Sequence, residues 1–155
     1  MIKWLVKTFE ELTIHELYAF LMLRSEVFVV EQNCVFQDID NTDQLAVHVM
    51  GFEEENGELV AYSRVFGPGI KFSMSGIGRV VVPEKARKGG TGRVLMEHSI
   101  KAIEDRFGKI PVKISAQAHL EKFYGSFGFV ACSEAYDDDG IMHIDMIREV
   151  SESGK

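Results

Sequence analysis

Cysteine is scarce in this chain. Cys34 and Cys132 are the only two, far apart and without metal-ligand or redox spacing. That excludes a disulfide framework and a cysteine-rich zinc site, and both are expected to be reduced, partly buried thiols in a cytoplasmic protein. Proline is nearly as rare, and Pro68, Pro83 and Pro111 each fall where a strand or turn should end. Basic charge is short as well: 17 Lys and Arg against 24 Asp and Glu leave a net charge of −7. A general nucleic-acid binder should show the opposite excess, so no nucleic-acid partner is expected. No apolar run is long enough to cross a membrane, and Met1-Ile2-Lys3-Trp4 lacks the apolar segment of a signal peptide. Membrane partners are therefore not expected. Internal repeats and linkers are also missing. The chain reads as one domain over 1–150, with a disordered tail over 151–155.

The chain is organised around the stretch from Gly78 to Phe107. Gly78-Arg79-Val80-Val81-Val82 is a β-branched run stopped by Pro83. Arg87-Lys88-Gly89-Gly90-Thr91-Gly92 is basic and glycine-rich. Met96, Ile100, Ile103 and Phe107 then recur at helical spacing. The order is strand, loop, helix. Amides exposed at such a helix N-terminus, with partial positive charge and Arg87 and Lys88 beside them, make a seat for a phosphate or pyrophosphate.

Around this stretch the elements follow in order. Ile2 to Thr8 alternates well enough for a strand, although Leu5 blurs the pattern. Thr13 with Glu16 is a capping box, and a helix is expected from Ile14 to about Val30. Leu45 to Phe52 alternates, and Asn56-Gly57 signals a hairpin into Leu59 to Phe66. Val112 to Ala116 is a strand, Ala118 to Ser126 a short helix, and Phe127 to Val130 the start of a sixth strand. Tyr136 to Gly140 reads as a solvated turn before the last strand, Ile141 to Arg148. This succession defines an α+β fold. The acidic loop Asp38-Ile39-Asp40-Asn41-Thr42-Asp43 lacks the glycine and glutamate that an EF-hand needs at its sixth and twelfth positions, where Asp43 and Val49 stand. It reads as caps, turns and a lip on a binding cleft, with no metal expected.

The glycine loop resembles the acetyl-CoA-binding signature of the GNAT N-acetyltransferase superfamily. Ala118-His119-Leu120-Glu121-Lys122-Phe123-Tyr124-Gly125-Ser126-Phe127-Gly128-Phe129 resembles that superfamily's second signature. Both stand in the right order, and the match covers nearly the whole chain. Leu23 to Cys34, followed by Asp38, Asp40, Asp43 and His48, and Ser115-Ala116-Gln117-Ala118-His119 resemble the ElaA-like branch. The resemblance implies a mostly antiparallel twisted sheet of six to seven strands, flanked by helices, with a splay between the fourth and fifth strands. It implies acetyl-CoA as the cofactor, and homodimers are frequent in the superfamily.

Acetyl transfer from a thioester to an amine needs an anchored cofactor, a polarised carbonyl, a deprotonated amine and a protonated leaving thiolate. The anchor is the amide nest over Lys88, Gly89, Gly90, Thr91 and Gly92, with Arg87 beside it. The resemblance implies that the backbone of Val80, Val81 and Val82 pairs with the pantetheine arm by strand addition and polarises the carbonyl. It places Tyr124 as proton donor to the thiolate, a role that suits a phenol of pKa about 10. His119 is placed either against the cofactor or as a helix cap. The general base stays open among Glu31, His48, Glu134 and His143. A water chain or a low-pKa amine would remove the need for one.

The expected activity is therefore N-acetylation of a primary amine, on a small molecule or a peptide, by direct attack in a ternary complex. Net acidity favours cationic acceptors. Two alternatives share the fold: a non-catalytic CoA-binding regulatory module, and an acyltransferase using longer donors, as acyl-homoserine-lactone synthases do. A nucleotide phosphate loop is disfavoured, because the Gly-Lys-Ser/Thr ending of a Walker loop is missing.

Overall fold

A computed structural model describes residues 1–150, so the tail expected over 151–155 lies outside the described residues. One sheet runs through the molecule. Its strands are β1 (Ile2–Thr8), β2 (Val47–Glu53), β3 (Leu59–Phe66), β4 (Ser75–Val81), β5 (Val112–Gln117), β6 (Phe129–Ala131), β7 (Tyr136–Asp138) and β8 (Ile141–Arg148). The spatial order is β1-β2-β3-β4-β5-β8-β6, with β7 also on β8. The sheet has eight strands where six to seven were expected. The extra one is β7, whose Tyr136 pairs with His143 inside the segment read as a turn. All neighbours are antiparallel except β4 and β5.

Helix α1 (Ile14–Arg24) covers one face and α2 (Thr91–Phe107) the other. The alternation of β2 explains how. Val47 and Val49 point to α2 and meet Leu95, Met96 and Ile103, while Met50 points to α1 and meets Phe20 and Leu23. Each such fully buried side chain contributes roughly 1.5–3 kcal/mol. Leu5 blurs the pattern of β1 because that strand is packed on both faces, Trp4 and Val6 toward α2 and Leu5 toward α1. Trp4 stacks on His98 at 4.5 Å between centroids and lies over Gly51, where a Cβ would come within 2.9 Å of its ring. Only glycine fits there.

The Thr13 capping box forms as expected: Glu16 N donates to Thr13 Oγ1 at 3.1 Å and Thr13 N to Glu16 Oε1 at 2.9 Å. The continuation of α1 differs. Ser25–Glu31 winds as a π-helical turn, with Gln32 N donating to the Val27 carbonyl at 3.1 Å and Cys34 N to that of Val29 at 3.0 Å. The wider turn accommodates the β-branched Val27, Val29 and Val30 and swings Glu31 and Gln32 off the line of the α-helix.

Two departures from regular pairing shape the middle of the sheet. The β4–β5 ladder holds only Ser75 to Val112 and Gly76 to Lys113. Just beyond it, Arg64 faces Gly78 and Tyr62 faces Val81, so β4 carries one extra residue there. That is a β-bulge, and Arg79 sits in it at φ +50°. The bulge bends β4 away from β5, and the strands part.

Candidate active site

A cleft of about 810 Å³ opens where β4 and β5 separate. One wall runs from Ile77 on β4 to Val82 just past its end, and the other is Ile114 through Gln117 on β5. The β4 edge facing β5 has no ladder partner after Gly76, so the main chain of Val80 and the amide of Val82 line the cleft without a strand partner, while the Val82 carbonyl is taken by Arg87.

At one end of the cleft stands the glycine loop. Gly89 and Gly90 take φ +103° and +79°, which let the chain reverse into α2. Gly90 caps α2 without any side-chain bond, and the first helical amide to find a carbonyl is Val94 N, on Gly90 O at 3.2 Å. The amides of Thr91, Gly92 and Arg93 thus end the helix without main-chain acceptors. Open space surrounds the Cβ positions of Gly89 and Gly90, and a Cβ on Gly92 would meet only Phe123, at 3.7 Å. A pyrophosphate fits this cradle. Arg87 leans across it, donating from Nε to the Val82 carbonyl at 2.8 Å and pairing with Glu31 at 2.7 Å.

Tyr124, on α3 (Glu121–Gly125), lines the cleft beside Leu120 and Phe123. It packs edge-on against Phe123 and Phe129 and is 7% exposed. Burial alone pushes its phenol up to about 12, and no protein partner holds its hydroxyl among the described residues. His119 lines the same end.

The opposite mouth is formed by the π-turn and the β7–β8 turn. Gln32 and Gln117 meet there at 3.3 Å, and Cys34 Sγ donates to the Asp139 carbonyl at 3.1 Å. Asp138, Asp139 and His143 line this side. His143 Nδ1 donates to the Ile141 carbonyl at 2.8 Å, so in the neutral ring Nε2 is the acceptor. Both cysteines are free, Cys34 buried and Cys132 exposed.

The structure thus brings Tyr124, His119, Glu31, His143, Val80, Val81, Val82, Arg87 and Gly92 to one cleft. His48 is not among them, and its expectation as a base is corrected. It is fully buried under α1, stacked on Phe20, with Nε2 donating to the Asp43 carbonyl at 2.9 Å and Nδ1 accepting from Tyr62 at 2.7 Å. Burial lowers its pKa, so it stays neutral and structural. Glu134 is exposed and lies outside the cleft lining. Glu31 pairs with Arg87 at the cleft.

The acidic loop is more than a lip: its carboxylates hold three arginines that reach it from α1, β3 and β4. Arg24 pairs with Asp38 and Asp43, Arg64 with Asp40 and Asp43, and Arg79 with Asp38. Burial opposes the Asp40 charge, yet the Arg64 guanidinium and the Thr42 hydroxyl hold its carboxyl well below the usual range. These arginines lie far apart in sequence, so only folding reveals the cluster.

A parallel seam opening beside a glycine-capped helix, with a buried tyrosine in the gap, defines an acyl-CoA-dependent N-acyltransferase fold. Residues 23–150 match the model of the acetyltransferase (GNAT) domain. Protein ElaA of Escherichia coli K12 is 44% identical over 152 residues, covering 97% of this chain and 98% of that protein. The crystal structure of Escherichia coli ElaA superposes with a TM-score of 0.89 at 43% identity, covering 96% of this chain and 100% of that one. An acyl-CoA N-acyltransferase from Pseudomonas aeruginosa gives a TM-score of 0.90 at 44% identity, covering 96% and 99%. The chain belongs to the GNAT acetyltransferase family, in its ElaA-like branch.

Proposed function

We propose that the protein is an acetyl-CoA-dependent N-acetyltransferase that acetylates a primary amine of a small molecule or peptide by direct attack in a ternary complex. The observation that carries this reading is the meeting, in one cleft, of the unpaired β4 edge, the uncapped start of α2 and the unpartnered Tyr124 hydroxyl. Bound acetyl-CoA supplies an activated thioester carbonyl.

The chain's own residues do the rest. Amides from Lys88 to Gly92 seat the pyrophosphate, with the positive end of α2 behind them and Arg87 alongside. Val80 offers its main-chain groups and Val82 its amide to the pantetheine arm, while Val81 packs into the core on the α1 side. An amide of this segment polarises the carbonyl. The bulge at Arg79 aims it. Tyr124, held protonated at neutral pH, gives its proton to the departing thiolate. His119 closes the cofactor side.

The amine enters from the other mouth, where Asp138 and Asp139 bias the site toward cationic acceptors. His143 Nε2, in the neutral ring, and Ser115 Oγ add hydrogen-bond acceptors to that wall.

The test is an assay of purified protein with acetyl-CoA and a panel of amines, reading free thiol and acetylated product. Transfer to a primary amine is expected, with acetyl preferred over longer acyl donors. CoA binding without transfer to any amine overturns the reading in favour of a regulatory module.

A further inference from the structure

Ser115 lies on β5 directly opposite Asp145 on β8, and Tyr136 on β7 lies opposite His143. Only Ser115 and His143 of these four line the cleft. Tyr136 and Asp145 stand behind Ser115 and form a chain with it. Ser115 Oγ and Tyr136 Oη are 2.5 Å apart, and Tyr136 Oη lies 2.6 Å from Asp145 Oδ1. A carboxylate can only accept, so the Tyr136 hydroxyl donates to Asp145, and the Ser115 hydroxyl in turn donates to Tyr136. This polarity leaves Ser115 Oγ as an acceptor toward the cleft.

The position suits an incoming amine. The β4–β5 register pairs Gly76 with Lys113. Counting on across the splay, Ser115 comes opposite Gly78, next to the bulge that aims the Val80–Val82 amides. The surroundings suit the carboxylate as well. Lys113 Nζ lies 3.8 Å from Asp145, and Asp145 N donates to Ser133 Oγ at 3.0 Å. His143 stacks along the Tyr136 ring at 6.3 Å, and Asp138 is the other charge acting on that phenol.

We propose that Ser115, Tyr136 and Asp145 are the proton exit for a primary ammonium acceptor; this rests on the transferase reading. Ser115 binds the ammonium. An N–H bond breaks and its proton moves to Ser115 Oγ, the Ser115 proton moves to Tyr136 Oη, and the Tyr136 proton moves to Asp145. The nitrogen keeps the bonding pair as its nucleophilic lone pair. Ser115 and Tyr136 end as hydroxyls, and Asp145 ends as the neutral acid. Asp145 then loses the proton to solvent, which its side chain reaches at 24% exposure. Ser115 is the catalytic residue here, and Tyr136 and Asp145 act through it. His143 does not provide such a route, because its second nitrogen ends on the Ile141 carbonyl, which cannot take a proton onward. Its ring instead holds Tyr136 in place.

The test compares wild type, Tyr136→Phe, Asp145→Asn and His143→Gln, each shown to retain its melting temperature and its CoA affinity by calorimetry. The acceptors are a panel of primary alkylamines including putrescine, and hydroxylamine, which is neutral at the assay pH. Tyr136→Phe and Asp145→Asn are expected to lower kcat/KM for alkylamines by ~100-fold and for hydroxylamine by less than about 3-fold, removing one limb of the pH profile. A second readout needs no turnover: with ¹³C-labelled tyrosine, the Tyr136 Cζ resonance should follow the Asp145 ionisation and lose that step in Asp145→Asn. Equal losses for both acceptor classes, or a limb removed only by His143→Gln, overturns the proposal. So does a Tyr136 resonance indifferent to Asp145. Wild type that transfers to no amine overturns the transferase reading itself.

Discussion

Arg79 donates from Nε to Asp38 Oδ1 at 2.7 Å and from Nη2 to the Asp38 carbonyl at 3.0 Å. The two bonds hold a non-glycine residue at φ +50° in the middle of β4. Left-handed backbone costs such a residue ~1–2 kcal/mol, so the ion pair is what maintains the bulge. Asp38 also carries Arg24, at 2.9 Å. Asp38→Asn should therefore destabilise the protein by ~3 kcal/mol, the low end for a buried pair, since Arg79 keeps some solvent contact. Urea unfolding measures this. CoA affinity should fall with it, as the β4 edge loses its direction. A stable variant with unchanged affinity would show that the main chain alone holds the bulge.

Tyr124→Phe should lower turnover by ~100-fold and leave CoA affinity nearly unchanged. Among the described residues the hydroxyl makes no protein bond, so its loss leaves no group unpaired, and stability should barely move. Stopped-time thiol release and calorimetric CoA titration separate the two effects. Full turnover in the variant would assign the proton to water.

Gly90→Ala should cost ~1–2 kcal/mol through its φ alone, because no atom lies within 4 Å of the added methyl. The relaxed loop would turn the α2 amides away from the phosphate and weaken CoA binding. Gly125→Ala is the control. It also meets nothing within 4 Å and needs no positive φ, so it should be neutral or slightly stabilising. Thermal denaturation with and without CoA distinguishes strain from lost binding.

Stability should fall as the solution is acidified, in two stages. Burial lowers the His48 pKa, so below about pH 6.5 the unfolded chain takes a proton that the folded chain refuses. The Asp40 and Asp43 carboxyls are held low against the opposing effect of burial, chiefly by Arg64 and Arg24 respectively. Their contribution is complete above about pH 3.9 and drains away below it. Unfolding free energies from pH 7 to 3 should show both slopes. His48→Gln should flatten the first and leave the second, provided the variant still folds.

The sequence revealed those features whose cause is local. The Thr13–Glu16 box, the β2 alternation, the Asn56-Gly57 turn and the glycine loop are each set by neighbours within a few residues. The branch motif was also visible, as the run from Leu23 to Cys34 with Asp38, Asp40, Asp43 and His48. Its reason was not, because Arg64 and Arg79 come from other strands. The π-turn escaped for a different reason: Val27, Val29 and Val30 disfavour an α-helix, and nothing in their pattern distinguishes a wide turn from an extended one. Tyr136 reads as part of a solvated turn because Asp137, Asp138 and Asp139 dominate its surroundings, and its partners Ser115 and Asp145 stand on other strands. His48 misled because a histidine in a strand looks the same whether it faces a cleft or a core.

The two-pair seam between β4 and β5 also divides the molecule along a line of weakness. The facing edges beyond Gly76 and Lys113 offer amides to solvent that a continuous sheet would have protected. In hydrogen exchange, residues near the parting should trade deuterium far faster than Val47 to Val49 in the middle of β2. A strand-like ligand arm lying in the gap would slow that exchange on the β4 side. Bound in the proposed way, the acyl donor would complete the sheet of the protein that uses it.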